Sequence, residues 1–125
     1  MAQSTNQTNR CILLVDDDAD LRQALATNLE KHGLTVIQAE NGQEALDRVG
    51  EEMPALIILD MNMPVMDGWE FAKQFYRRQE SAPIIVLTAE TKAGKGAADI
   101  GTKYSIGKPV DMQRLLSLVD TLTPH

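Results

Sequence analysis

The chain has 125 residues, which suits one domain with a single hydrophobic core. Its formal net charge of −6 disfavours nonspecific nucleic-acid binding, because such binding relies on clustered lysine and arginine side chains. The apolar runs are too short for a membrane-spanning helix, and the single cysteine, Cys11, excludes an internal disulfide or a cysteine metal cage.

The chain begins with a polar segment, residues 1–10, that lacks the apolar region of a secretory signal. We predict a disordered tail over residues 1–10, one domain over residues 11–123, and a cytoplasmic location without membrane contact.

Apolar runs that alternate with helix-periodic stretches predict βαβ units around a parallel sheet. The runs at 12–15, 56–59 and 84–87 are continuously apolar, which is typical of parallel strands covered on both faces. The runs at 34–39 and 103–106 are more polar and suit sheet edges. We therefore predict an α/β fold, a flavodoxin-like doubly wound (βα)5 parallel sheet with strand order 2-1-3-4-5.

The helix-periodic stretches predict five helices between and after these strands. The first is expected to bury Leu21, Ala24, Leu25 and Leu29 and to end at Gly33. The second begins near Asn41, and the fifth begins near Val110. The third is expected to follow Asp67 and Gly68 and to bury Phe71, Ala72, Phe75 and Tyr76. The fourth, over residues 92–99, contains two glycines and almost no apolar stripe, which predicts a short or irregular helix.

Polar side chains follow the predicted strands, at the edge where open α/β folds bind ligands. Asp16 and Asp17 follow the first strand, Asp60 ends the third, and Thr88 ends the fourth. Lys108 comes after the fifth strand, directly before Pro109. The sequence therefore predicts one pocket with carboxylates, a hydroxyl and an ammonium group.

Three carboxylates in one pocket, those of Asp16, Asp17 and Asp60, must bind a cation or hold protons. Two unit charges about 4 Å apart repel by about 4 kcal/mol at an effective dielectric constant near 20. An all-oxygen site with room for water favours Mg²⁺. The alternative is that surface aspartates cap the first helix, and for Asp18 we favour that interpretation.

Asp60 is the candidate nucleophile, because a carboxylate can attack a phosphoryl group and form an aspartyl phosphate. In that chemistry Thr88 would donate its hydroxyl to a phosphate oxygen, and Lys108 would pair with Asp60 or with the phosphate. Taken singly, Thr88 is better interpreted as an ordinary threonine at a strand end, and Lys108 as a solvated lysine.

Four stretches make the chain similar to a response-regulator receiver domain of two-component signalling, in the CheY-like superfamily. They are ILLVDDDADLR (12–22), LIILDMNMPVMDGWEF (56–71), IIVLTAE (84–90) and GKPVDMQRLL (107–116). The resemblance implies that Asp60 is the phosphoacceptor, that Asp17 ligates Mg²⁺ directly and that Asp16 does so largely through water. It further implies a metal-binding backbone carbonyl at Asn62, a switch hydroxyl at Thr88, a phosphate-binding Lys108 and a cis Lys108–Pro109 bond.

The resemblance also implies a function, a phosphoacceptor that assists its own phosphorylation and dephosphorylation rather than an enzyme. Its expected partners are a histidine kinase or a histidine phosphotransfer protein and an unknown downstream protein. The negative net charge predicts no direct nucleic-acid binding. Two alternatives stay open. One is a degenerate receiver that only docks a partner, and the other is a phosphatase of the haloacid-dehalogenase type.

One departure from the family pattern concerns the residue three places before Lys108, where receivers usually carry tyrosine or phenylalanine. This chain has Ser105 there, and Tyr104 lies one residue earlier. Because successive side chains of a strand point to opposite faces, Tyr104 is not expected to replace the missing aromatic ring.

Overall fold

The computed structural model describes residues 10–61, 63, 65–78, 82–89 and 101–123. Its five strands form one parallel sheet in the order β2-β1-β3-β4-β5, which confirms the predicted winding. The strands are β1 (Cys11–Val15), β2 (Thr35–Ala39), β3 (Leu56–Asp60), β4 (Ile84–Ala89) and β5 (Tyr104–Lys108). Within the described ranges, no helix combines the length and the apolar character required to cross a membrane.

Four helices connect or follow the strands in the described part of the chain: α1 (Ala19–Lys31), α2 (Gly42–Glu51), α3 (Gly68–Arg77) and α4 (Met112–Leu122). Each begins after an Asp or Asn whose side chain accepts a hydrogen bond from a first-turn amide, namely Asp18, Asn41, Asp67 and Asp111. The predicted capping role of Asp18 is thereby confirmed. The predicted short helix over residues 92–99 lies outside the described residues.

The helices cover both faces of the sheet, and each face has its own hydrophobic cluster. The α2–α3 cluster consists of Leu13, Val15, Ala39, Ala45, Leu46, Val49, Ile57, Leu59, Met61, Met63, Phe71, Phe75, Ile84 and Val86. The α1–α4 cluster consists of Ile12, Leu14, Leu25, Ala26, Leu29, Leu34, Leu56, Ile58, Ile85, Leu87, Ile106, Leu115 and Val119. Neighbouring residues of β1, β3 and β4 alternate between the two clusters, so these strands are apolar throughout.

Two predicted core residues are exposed. Ala24 faces solvent, and Ala26 is buried in its place beside Leu25 and Leu29. Tyr76 keeps 43% of its surface exposed, at the margin of the buried stripe of α3. Spacing predicts that a helix has an apolar stripe, but how the helix is rotated about its axis depends on the strands it packs against.

Gly33 ends α1 as predicted. Its φ of +92° is in the left-handed region, which glycine adopts without steric cost. The Gly33 amide donates to the Glu30 carbonyl at 3.0 Å, and the Leu34 amide donates to the Leu29 carbonyl at 3.2 Å. This pair of bonds is a Schellman motif, and it directs the chain into β2.

Gly68, the first residue of α3, allows the helix to approach the chain directly after Asp60. Its amide donates to the Met61 carbonyl at 3.0 Å. A Cβ atom at this position would lie 2.7 Å from the Met61 Cα and 2.9 Å from the Asp60 carbonyl oxygen. Because these contacts are mainly with backbone, side-chain rotation cannot relieve them.

Gly68→Ala is expected to lower the free energy of unfolding by about 2 kcal/mol, within the range for overpacked sites. Urea denaturation monitored by circular dichroism measures the change. The matched control is Gly50→Ala in α2, where the nearest atom to a new Cβ is Arg78 Nη1 at 3.9 Å. That change should be neutral or stabilising by up to about 1 kcal/mol. Equal stability of the two variants would contradict the steric argument.

Candidate functional site

The carboxyl ends of the strands bring the predicted acids together. Asp16 directly follows β1, Asp60 is the last residue of β3, and β1 and β3 are neighbours. Carboxylate oxygens of Asp16, Asp17 and Asp60 all lie within 4.8 Å of one another. Asp16 and Asp60 are buried, whereas Asp17 is exposed, so the cluster opens to solvent on one side.

Lys108, the last residue of β5, lies between the two buried acids. Its Nζ atom is 3.1 Å from Asp16 Oδ2 and 3.5 Å from Asp60 Oδ1. Burial lowers the pKa of Lys108, but the carboxylates of Asp60 and Asp16 raise it by more, and the net pKa lies above that of an ordinary lysine. The ammonium group therefore stays charged at neutral pH. The peptide bond between Lys108 and Pro109 is cis, as predicted.

Thr88 is buried in β4, close in register to the ends of β3 and β5. Asp60 is paired with Leu87, and Thr88 is paired with Gly107, the residue before Lys108. Leu87 belongs to the α1–α4 cluster. Because side chains alternate along a strand, the Thr88 side chain lies on the face of the sheet opposite to Leu87. This is the face of Val86, a member of the α2–α3 cluster.

Tyr104 does not occupy the place of the missing aromatic residue. The register between β4 and β5 runs without a bulge from Tyr104 to Lys108. Tyr104 packs against the α1–α4 cluster, which contains Ile106. Ser105 lies between them in sequence, so its side chain points to the same face as Thr88. The prediction that Tyr104 does not replace the missing aromatic ring is confirmed.

The donor set of the acid cluster fits a hard divalent cation. Asp16, Asp17 and Asp60 offer only oxygen atoms, and a bound cation would offset the negative charge that three close carboxylates concentrate there. Mg²⁺ prefers a few carboxylate ligands together with water, and the exposed side of the cluster admits water. Asn62, predicted to add a backbone carbonyl, lies outside the described residues.

Sequence reasoning missed Arg22 of α1, whose guanidinium binds the backbone carbonyl of Asp16, a member of the acid cluster. Its Nη1 atom donates to the backbone carbonyl of Asp16 at 2.7 Å, and its Nε atom donates to Gln38 Oε1 at 3.1 Å. One signal in the sequence was Gln38, a polar residue within the run 34–39.

The comparisons with known proteins agree on one family. A family model described as the response regulator receiver domain matches residues 12–120. Response regulator MprA of Mycolicibacterium vanbaalenii is 35% identical over 113 residues, which are 89% of this chain and 49% of that protein. MprA of Mycobacterium avium is also 35% identical, with 50% of its length covered. The chain thus spans about half the length of these curated relatives.

Solved structures show the same likeness. The chemotaxis protein CheY4 of Vibrio cholerae is 32% identical, with a TM-score of 0.83 over 91% of this chain and 98% of that one. The receiver domain of the Francisella response regulator 1452 is 27% identical, with a TM-score of 0.83 over 91% of this chain and 96% of that one.

Proposed function

The chain belongs to the response regulator receiver domain family of two-component signalling, and we propose that Asp60 is its phosphoryl acceptor. The observation that carries the proposal is the surroundings of Asp60. It is buried at a strand end, its Oδ1 atom is 3.5 Å from the ammonium of Lys108, and two further carboxylates lie within 4.8 Å. Such a site holds a carboxylate nucleophile beside a positive charge that can stabilise an incoming phosphoryl group.

In the proposed reaction, a carboxylate oxygen of Asp60 attacks the phosphorus atom of a phosphohistidine on a kinase or a histidine phosphotransfer protein. A new O–P bond forms, the N–P bond breaks, and the electron pair of that bond stays on the histidine nitrogen. Asp60 then carries an acyl phosphate. Phosphoryl transfer needs mainly positioning and charge stabilisation, and this pocket supplies both.

Each neighbouring side chain has a defined task in this proposal. Lys108 is close enough to Asp60 to exchange its contact with the carboxylate for one with a phosphoryl oxygen. Thr88 lies one residue beyond Leu87, the register partner of Asp60, and at this end of the sheet its buried hydroxyl would donate to another phosphoryl oxygen. Asp16, Asp17 and Asp60 would hold Mg²⁺, which when bound supplies charge that offsets the phosphoryl oxygens. The same groups can orient water for the later hydrolysis of the acyl phosphate.

The phosphoryl group adds negative charge to this edge of the sheet and shifts an equilibrium between two states of a partner-binding surface. A downstream protein recognises that surface. Ser105, in register with Val86, shares a face of the sheet with Thr88 and carries a small side chain where receivers usually have an aromatic ring. The signal therefore passes to the surface without an aromatic rotation at residue 105.

Incubation of the protein with acetyl phosphate and MgCl₂, followed by intact mass spectrometry, tests the proposal. We expect a gain of one phosphoryl group, and we expect no gain when EDTA replaces the magnesium salt. Failure to gain a phosphoryl group from acetyl phosphate and from a panel of phosphorylated histidine kinases would contradict the proposal and favour a module that only docks.

A further inference from the structure

Arg22 connects three elements at the edge of the acid cluster. It lies in the first turns of α1 and is half-buried. It donates through Nη1 to the carbonyl of Asp16, directly after β1, and through Nε to the side chain of Gln38 in β2. A guanidinium group with two separate acceptors is fixed in its plane as well as in its position.

The bond from Arg22 completes the set of contacts around Asp16. The Asp16 amide donates to the Ala39 carbonyl at 3.1 Å. Its Oδ1 atom accepts from the Asp18 amide at 2.9 Å, and its Oδ2 atom accepts from Lys108 at 3.1 Å. The remaining polar atom is the backbone carbonyl, and Arg22 binds it at 2.7 Å.

The carbonyl of Asp16 and the amide of Asp17 belong to one planar peptide unit. A group that holds this carbonyl in place therefore also holds the plane of the Asp16–Asp17 peptide. The orientation of that plane constrains the direction in which the Asp17 side chain leaves the backbone. Asp17 is the exposed member of the acid cluster, so it has less surrounding packing to hold its carboxylate near those of Asp16 and Asp60.

We propose that Arg22 is a positioning residue of the cation site, which orients the Asp16–Asp17 peptide so that the carboxylate of Asp17 faces the other two acids. The inference rests on the proposed function, because it assigns Arg22 a role toward the cation that this function requires. Gln38 assists by holding the guanidinium plane through its contact with Nε.

The charge of Arg22 alone would have the opposite effect. A positive guanidinium near three carboxylates weakens their attraction for a cation, so its removal would tighten Mg²⁺ binding if charge were its only contribution. Positioning predicts that removal weakens binding. The direction of the change therefore separates the two roles.

Isothermal titration of Mg²⁺ into the full chain, with circular dichroism to verify folding, tests the proposal. Arg22→Ala is expected to weaken Mg²⁺ binding about tenfold, the low end for residues that orient metal ligands. Arg22→Lys keeps the positive charge and a single donor nitrogen, and should restore part of the affinity. Gln38→Ala should weaken binding less than Arg22→Ala, because the bond to the Asp16 carbonyl remains.

A double-mutant cycle with Asp17→Asn identifies the route of the effect. If Arg22 acts through Asp17, then Arg22→Ala in the Asp17→Asn background should change the affinity by less than about twofold. Unchanged or tighter binding by folded Arg22→Ala, or full additivity with Asp17→Asn, would overturn the positioning role while leaving the cation site intact. Wild-type affinity in Asp17→Asn itself would show that the Asp17 carboxylate is not a ligand of the cation, and would overturn the role of Arg22 through it.

Discussion

Asp60→Asn is expected to abolish the uptake of a phosphoryl group from acetyl phosphate, and to do so without unfolding the protein. An amide oxygen is a much weaker nucleophile than a carboxylate and cannot yield a stable acyl phosphate. Asparagine has nearly the same shape as aspartate and leaves the pair between Asp16 and Lys108 in place, at 3.1 Å. Intact mass after incubation with acetyl phosphate and MgCl₂ measures the loss.

The loss should be specific to this carboxylate. Asp47→Asn makes the same chemical change on the exposed surface of α2 and should leave phosphoryl uptake at the wild-type level. A phosphoryl gain that persists in Asp60→Asn would place the acceptor on another side chain. Peptide mapping after borohydride reduction of the acyl phosphate would then locate it.

The winding of the sheet could be predicted because each central strand is a short apolar run without alternation. Residues 12–15, 56–59 and 84–87 are covered by helices on both faces, and such coverage requires apolar side chains on both faces. The helix starts could be predicted for a similar local reason, since Asn41 and Asp67 accept first-turn hydrogen bonds wherever the helix packs.

The rotation of each helix could not be predicted, because it depends on the surface beneath the helix. Ala24 and Ala26 have the same side chain, and only the position of α1 over the sheet makes one exposed and the other buried. Tyr76 has an apolar ring and a polar hydroxyl, so its identity suits either a buried or a partly exposed position.

The meeting of Asp16, Asp17 and Asp60 follows from sheet topology, because the ends of neighbouring parallel strands share one edge. The contact of Arg22 with the Asp16 carbonyl does not follow from topology. It requires the length of an arginine side chain, the placement of α1 and the acceptor on Gln38, and each of these is set by the folded structure.

Lys108→Met is expected to lower the free energy of unfolding by about 3 kcal/mol in EDTA, the range for breaking a buried ion pair from one side. The ammonium group is the partner of two acids, Asp16 and Asp60, that are 0% and 3% exposed. Its removal leaves both carboxylates facing each other with less compensating charge. Urea denaturation at neutral pH measures the loss. The matched control is Lys73→Met on the exposed side of α3, which should change the free energy of unfolding by less than about 0.5 kcal/mol.

The charge argument also predicts how the loss can be reversed. Adding Asp60→Asn to Lys108→Met removes one of the two repelling carboxylates, so the double variant should be more stable than the sum of the single changes implies.

Saturating Mg²⁺ should stabilise Lys108→Met more than it stabilises the wild type, because the cation replaces the missing positive charge and binds only the folded site. If Lys108→Met were as stable as Lys73→Met in EDTA, the two acids would not depend on the ammonium group, and Lys108 would be left with a role only toward the phosphoryl group.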